Sequence, residues 1–493
     1  MNASDLRGLA LATIFPGFLG AHDVPPWLTA MAAEGLGGVV LFGRNVDPDR
    51  GDAGVAALTG ALHATNPDLL VGIDEEGGDV TRLDVAAGSM LPGNAALGAL
   101  DDPEATERVA AEVAARLRAC GIDLNFAPVA DVDSNPLNPV IGVRSFGFDP
   151  DLVARHVAAY VAGQQAQGIG ATAKHFPGHG GTSEDSHLTV PSIDDPLDVI
   201  QARDLPPFRA AVKADVKIVM TAHIRFPAID ADSPATLSRP VITGVLRDEL
   251  GYDGLVMTDG MDMHAISQTV GHAEGAVLAL LAGVDALCVG GDTVGPETLE
   301  AMVAALIDAV RTGRLPEERL AEAAGRVQAL RRWVRDVSPS PVLHGSAADA
   351  ARQAVTVHGD VTLTAPPLVV ELDDEPSVAA GPIPWGVGRH LVDRLPGTVL
   401  ARVTESTADL PAVLAALPGR RLVVGVRGVR RRPWQVALVE AARAARPDLI
   451  VVDHDVNPLP EVLGENYLLT HGAARVTAEA AAERLAAALA PPG

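Results

Sequence analysis

The sequence predicts an α/β protein, an N-terminal (β/α)8 TIM-like barrel followed by a smaller α/β sandwich-type domain. Three observations carry this. From residue 9 to about 335, apolar runs rich in Val, Ile and Leu recur eight times without polar alternation, as parallel strands buried on both faces require. Ala-rich stretches with apolar residues three and four apart lie between the runs, the spacing of amphipathic helices. Such an alternation repeated eight times closes into a barrel. Beyond two Ser-Pro pairs at 338–341 the strand-and-helix alternation resumes on a smaller scale. A doubly wound open sheet is the competing fold. It would want a glycine-rich phosphate turn after the first strand, and PGFLGAH (16–22) does not fit one.

In order, the runs are ATIFPGF (12–18), GGVVLF (37–42), LLVGID (69–74), IDLNFAP (122–128), GIGATAK (168–174), VKIVMTAH (216–223), GLVMTD (254–259) and VDALCVG (284–290). The first belongs to LALATIFPGFLG (Leu9 to Gly20). This stretch reads as a buried strand and not a signal peptide, because Asp5 precedes it and Pro16, Gly17 and Gly20 interrupt it. PEATERVAAEVAARLRAC (103–120) is typical of the helical stretches. The barrel is assigned to residues 1–335, a linker to 336–345 and the second domain to 346–493. In that domain SAADAARQAVTV (346–357) reads as a helix, and PLVVELD, TVLARVT, RLVVGVRG and DLIVVDHD read as strands. RGVRRRP (427–433) reads as a solvated basic loop, with an anion site as the alternative.

The formal net charge of −25 repels phosphate backbones, so nucleic acid is not an expected partner. No apolar run reaches the roughly 18 residues of a membrane span, and a cytoplasmic location is expected. Cys120 and Cys288 lie in apolar surroundings and read as buried free thiols.

Active sites of this fold sit at the C-terminal ends of the strands. Those ends carry Arg44 and Asn45, Asp74, Asp131, Lys174 and His175, His223, and Asp259. The densest stretch is KHFPGHGGTSEDSH (174–187), whose glycines and proline make it a loop. Lys174 and His175 open that loop at the strand terminus. Asp185 and His187 lie ten or more residues into it and are expected to move. Cleaving a glycosidic bond needs an acid for the leaving oxygen and a carboxylate on the other side of the sugar. Asp259 is placed for the carboxylate, or for capping a helix; Asp262, three residues on, reads as a cap or a surface charge. Asp185 beside His187 favours a protonated imidazole, which makes His187 a general acid, unless the pair is a chance neighbour in a loop.

IDEEGGDVTRL (73–83), RSFG (144–147), KHFPGHGGTSEDSH, SPATLS (233–238) and LRDELGYDGLVMTDGMDM (246–263) follow one another in an order and spacing that resemble family 3 glycoside hydrolases, in their β-N-acetylglucosaminidase branch. The resemblance spans nearly all of residues 9–335. It implies Asp259 as nucleophile, His187 as acid/base and Asp185 as its dyad partner. It implies sugar-binding roles for Asp74, Arg82, Arg144, Lys174 and His175. For Arg82 and Arg144 a structural ion pair is the alternative. His223 is counted with the substrate-binding residues, as a supporting or substrate-edge group like His179. The chain departs from the family at Asp79, where a basic residue is more usual.

The resulting expectation is a retaining exo-β-N-acetylglucosaminidase acting on muropeptide or chitin-type fragments, with no cofactor and no metal. A phosphorylase using inorganic phosphate is the alternative. A metal-dependent amidohydrolase barrel would use His175, His179, His187 and His223 as ligands, but the His-x-His expected at the end of its first strand is missing. A carbohydrate-binding protein with a dead site is disfavoured because the expected catalytic residues are present.

Overall fold

The structure, a computed structural model, describes residues 3–184, 189–290, 295–373, 379–407, 419–487 and 489. In chain order the strands of the first part are β1 (Ile14–Pro16), β2 (Gly38–Leu41), β3 (Leu70–Ile73), β4 (Leu124–Asn125), β5 (Gly170–Phe176), β6 (Ile218–Thr221), β7 (Arg225–Phe226), β8 (Asp230–Pro234), β9 (Leu255–Thr258) and β10 (Leu287–Val289). Six of them pair in parallel in the order β2-β3-β4-β5-β6-β9, and β1 pairs in parallel with β10. Parallel bridges Gly17–Val40 and Met257–Ala286 join the two groups into a ring. The barrel is therefore closed, with β7 and β8 as a small antiparallel hairpin inserted after β6.

Every predicted run contains a barrel strand, but two local expectations change. The segment from Leu9 is not strand throughout: Ala3–Ala12 is a helix, and only Ile14–Pro16 enters the barrel. This helix packs against helices Pro296–Arg311 and Glu317–Asp336, so its apolar residues serve helix packing. Strand β5 runs on to Phe176, which puts Lys174 and His175 inside the strand and not in the loop after it.

Inward-facing side chains fill the barrel in layers drawn from alternate strands. Val40 from β2, Phe126 just past β4, Met220 from β6 and Cys288 from β10 belong to one apolar cluster. They also form the floor of a cavity at the C-terminal end. Of the intervening strands, β3 and β9 are followed directly by Asp74 and Asp259, and β5 carries Lys174 two residues before its end, so the next layer is polar.

The second part begins with helix Ser346–Ala354 and, among the described residues, has six strands: β11 (Thr356–His358), β12 (Leu368–Leu372), β13 (Val399–Val403), β14 (Leu422–Val426), β15 (Ile450–Asp453) and β16 (Tyr467–Leu469). Their order is β11-β16-β15-β14-β12-β13, parallel except for β11. Val355, Thr356 and Val357 were expected to continue a helix. The helix ends at Ala354, and β-branched Thr356 and Val357 pair instead along β16. Apolar clusters on the two faces of this sheet are separate from the barrel core. The segment with the two Ser-Pro pairs is tied down: Ser340 N donates to Ala166 O, and Gln167 Nε2 donates to Ser340 O.

Candidate active site

A cavity of about 640 Å³ opens at the C-terminal end of the barrel. Its polar wall is built from the strand ends. Lys174 is almost fully buried, and its Nζ lies 2.5 Å from Asp74 Oδ1 and 2.6 Å from Glu76 Oε1. Arg144 donates from Nε and Nη2 to the two oxygens of Glu76, at 2.9 and 2.7 Å. Arg82 Nη2 lies 3.3 Å from Asp74 Oδ2. Burial would raise the Glu76 carboxyl, but the adjacent Arg144 and Lys174 outweigh it and hold the group well below the usual carboxylate range.

Behind this wall are supporting bonds. Glu75 Oε2 accepts from the backbone N–H groups of Arg82 and Leu83, which fixes the turn that brings Arg82 back to Asp74. Burial pushes the Glu75 carboxyl up to about 7. Asp131 is fully buried; its Oδ2 lies 2.8 Å from His175 Nδ1, and its Oδ1 accepts from the N–H of His179. A carboxylate at Nδ1 fixes that nitrogen as the donor, leaving Nε2 beside Arg144 Nη2 at 3.5 Å. Burial, with the neighbouring His175, lowers His179 to about 4, so its ring is neutral near pH 7.

On the opposite wall Asp259 follows directly on β9. Its Oδ1 accepts from the N–H of Gly260 at 2.7 Å. The Gly260 carbonyl in turn lies 3.0 Å from His223 Nε2. A carbonyl only accepts, so Nε2 carries the proton; Nδ1 lies 2.7 Å from the Thr236 hydroxyl, which donates to Ala222 O. Thr236 lies in the SPATLS segment, which explains why that segment is part of the site.

The sequence-predicted residues therefore fall into three groups. Asp74, Arg82, Arg144, Lys174, His175 and Asp259 all line the cavity. His223 is fully buried beneath the Asp259–Gly260 turn, hydrogen-bonded to the Gly260 carbonyl, and is not among the residues that line the cavity. Asp185 and His187 lie outside the described residues. Asp262 is not a helix cap: its Oδ1 accepts from Gly290 N and ties the end of β9 to that of β10. Cys288 is in the floor, its thiol pushed well up by burial and so not nucleophilic.

Glu76 was missed as a site residue, although it follows Asp74 by only two positions. Also missed was the wall from the second domain. Residues Ala379, Ala380, Gly381 and Pro382 line the cavity, and Arg82 Nη2 donates to Ala379 O at 3.0 Å. No local signal in the sequence marks that contact. Among the described residues no group of three or more His, Cys, Asp or Glu is placed to hold a metal ion, and no helix is long and apolar enough to cross a membrane.

Residues 25–330 match the model of the glycosyl hydrolase family 3 N-terminal domain, which is the barrel just described. The chain belongs to glycosyl hydrolase family 3. The chain is 35% identical over 349 residues to beta-hexosaminidase A of Pseudoalteromonas piscicida, a match covering 66% of this chain but only 58% of that protein. It is 40% identical over 296 residues to the beta-hexosaminidase of Xanthomonas campestris pv. campestris, covering 57% of this chain and 87% of that one. A solved family 3 beta-N-acetylglucosaminidase from Paenibacillus sp. str. FPU-7 superposes with a TM-score of 0.86 at 34% identity, over 98% of this chain and 97% of its own. That superposition takes in both parts of the molecule.

Proposed function

We propose that the protein is a retaining exo-β-N-acetylglucosaminidase, releasing terminal β-linked N-acetylglucosamine through a covalent glycosyl–aspartate intermediate. The observation that carries this reading is the arrangement of the cavity: the carboxylate of Asp259 at the end of β9, across the barrel from a wall of paired charges at Asp74, Arg82, Arg144 and Lys174. Asp74 accepts from sugar hydroxyls, and the cations supply donors to hydroxyl or acetamido oxygens. The turn behind Asp259 is held by Gly260 and His223, which suits a nucleophile that must meet the anomeric carbon in one geometry.

In the first step Asp259 attacks the anomeric carbon while His187 gives its proton to the leaving oxygen. In the second, neutral His187 takes a proton from water as the water attacks and Asp259 leaves. The names of the similar proteins support the acetamido sugar as substrate. Cell-wall muropeptide or chitin-type fragments are the natural substrates on this reading.

The test is a rate panel on aryl β-glycosides of N-acetylglucosamine and glucose, with and without inorganic phosphate. The account predicts a strong preference for the acetamido sugar and free N-acetylglucosamine as product in both conditions. Glucoside preference, or a sugar phosphate formed when phosphate is present, contradicts it.

A further inference from the structure

Residues 133–138 of the barrel lie between two other parts of the molecule. On one side is the described stem of the loop that follows β5. Asn135 N donates to Gly180 O at 3.2 Å, and Asn135 Nδ2 donates to Thr182 O at 3.0 Å. Asn138 Nδ2 donates to His179 O at 3.0 Å and to Gly180 O at 3.1 Å. Asn138 Oδ1 accepts from Val140 N and Ile141 N, so both ends of its amide are engaged and its orientation is fixed. The fit is close: a Cβ on Gly180 would lie 1.6 Å from Val132 O, so only glycine allows the approach.

On the other side is the second domain. Asn457 Nδ2, beyond β15, donates to Asp133 Oδ2 at 2.9 Å. Arg431 Nη1, beyond β14, donates to Asn138 O at 2.6 Å. The bonds meet residues 133–138 at their two ends. The segment forms no strand ladder with the stem, so its own bonds to the stem are those of loops, which open locally at little cost unless braced.

We propose that Arg431 and Asn457 are positioning residues for the reaction. From the second domain they press residues 133–138 against the stem 179–182, which His187 follows by five residues in sequence. The inference rests on the reading of His187 as the acid, since the consequence of a displaced stem is poor proton delivery to the leaving group.

The test compares the wild type with Arg431→Ala, Asn457→Ala, their combination and His187→Ala. The readout is kcat/KM on aryl N-acetyl-β-glucosaminides whose phenol leaving groups span a wide pKa range. The double variant is expected to lose about 10-fold or more on the poorest leaving groups, as misplacing a catalytic group does, and far less on the most activated. Arg431→Lys, which keeps a donor of similar reach, is expected to recover most of the single-variant loss. A uniform loss across all leaving groups, or none, in the double variant overturns the proposal if His187→Ala itself shows the steep dependence. A flat dependence in His187→Ala overturns the acid reading and this inference with it.

Discussion

Glu76 is 3% exposed, yet it carries a full charge and accepts from both Arg144 and Lys174. Removing one member of a buried charge network leaves the others uncompensated, at about 3–5 kcal/mol. Glu76→Gln keeps the shape and removes the charge. It is expected to lower unfolding free energy in urea by about that amount and to raise KM, because Lys174 and Arg144 lose the group that aims them. A variant with unchanged stability and KM contradicts the role given to Glu76. At this scale the sequence was informative where a strand end carries an isolated polar residue. Asp74, Lys174 and Asp259 were legible for that reason. Glu76 and Asp131 were harder to place, since each acts by holding another side chain, and pairing across the barrel leaves no mark in local spacing.

The apolar periodicity located the barrel strands, because a strand buried on both faces must be continuously apolar. It did not set their ends, where Gly-rich and polar residues serve strand and loop alike; β5 ran two residues further than expected for that reason. The basic stretch RGVRRRP illustrates the other limit. It was expected to be solvated, but Arg427 Nη2 lies 2.5 Å from Asp79 Oδ2, and Arg431 donates to Asn138 O. Asp79, the position that departs from the family pattern, thus has a partner in another part of the chain. Its Oδ1 also accepts from Ala473 N. Both bonds hold the second domain to the turn between β3 and Arg82. Asp79→Arg sets two cations against each other and is expected to raise KM about 10-fold, equivalent to about 1.4 kcal/mol. Adding Arg427→Asp should restore most of the loss. Steady-state kinetics on the three proteins decide it, and an unchanged KM in Asp79→Arg would show that this contact does not shape the site.

For the molecule as a whole, nothing in the sequence marks the second domain as the roof of the cavity, since a contact such as Arg82 with Ala379, 297 residues apart, has no local signature. The interface also buries groups that titrate. His454 is fully buried, and its Nδ1 lies 2.8 Å from Thr470 Oγ1. Burial, with Arg427 and His390 adding to it and Asp79 opposing, lowers it to about 4. An unfolded histidine titrates near 6.5. The unfolded state therefore binds the extra proton between these values. The contribution of neutral His454 is present above pH 6.5 and is lost progressively as the pH falls towards 4. Relative to His454→Asn, wild-type stability is expected to decline by about 3 kcal/mol over that window. Urea unfolding of both proteins at several pH values measures this, and a difference that does not vary with pH contradicts it.

The central claim, that Asp259 is the nucleophile of a retaining glycosidase, is tested most directly by Asp259→Ala on an activated aryl N-acetyl-β-glucosaminide. The account predicts a folded protein with no measurable turnover. It also predicts that added azide, small enough to enter the vacated space, restores aryl release and yields the α-glycosyl azide. Turnover of even a few per cent of wild type without azide, or a β-configured azide product, would contradict it.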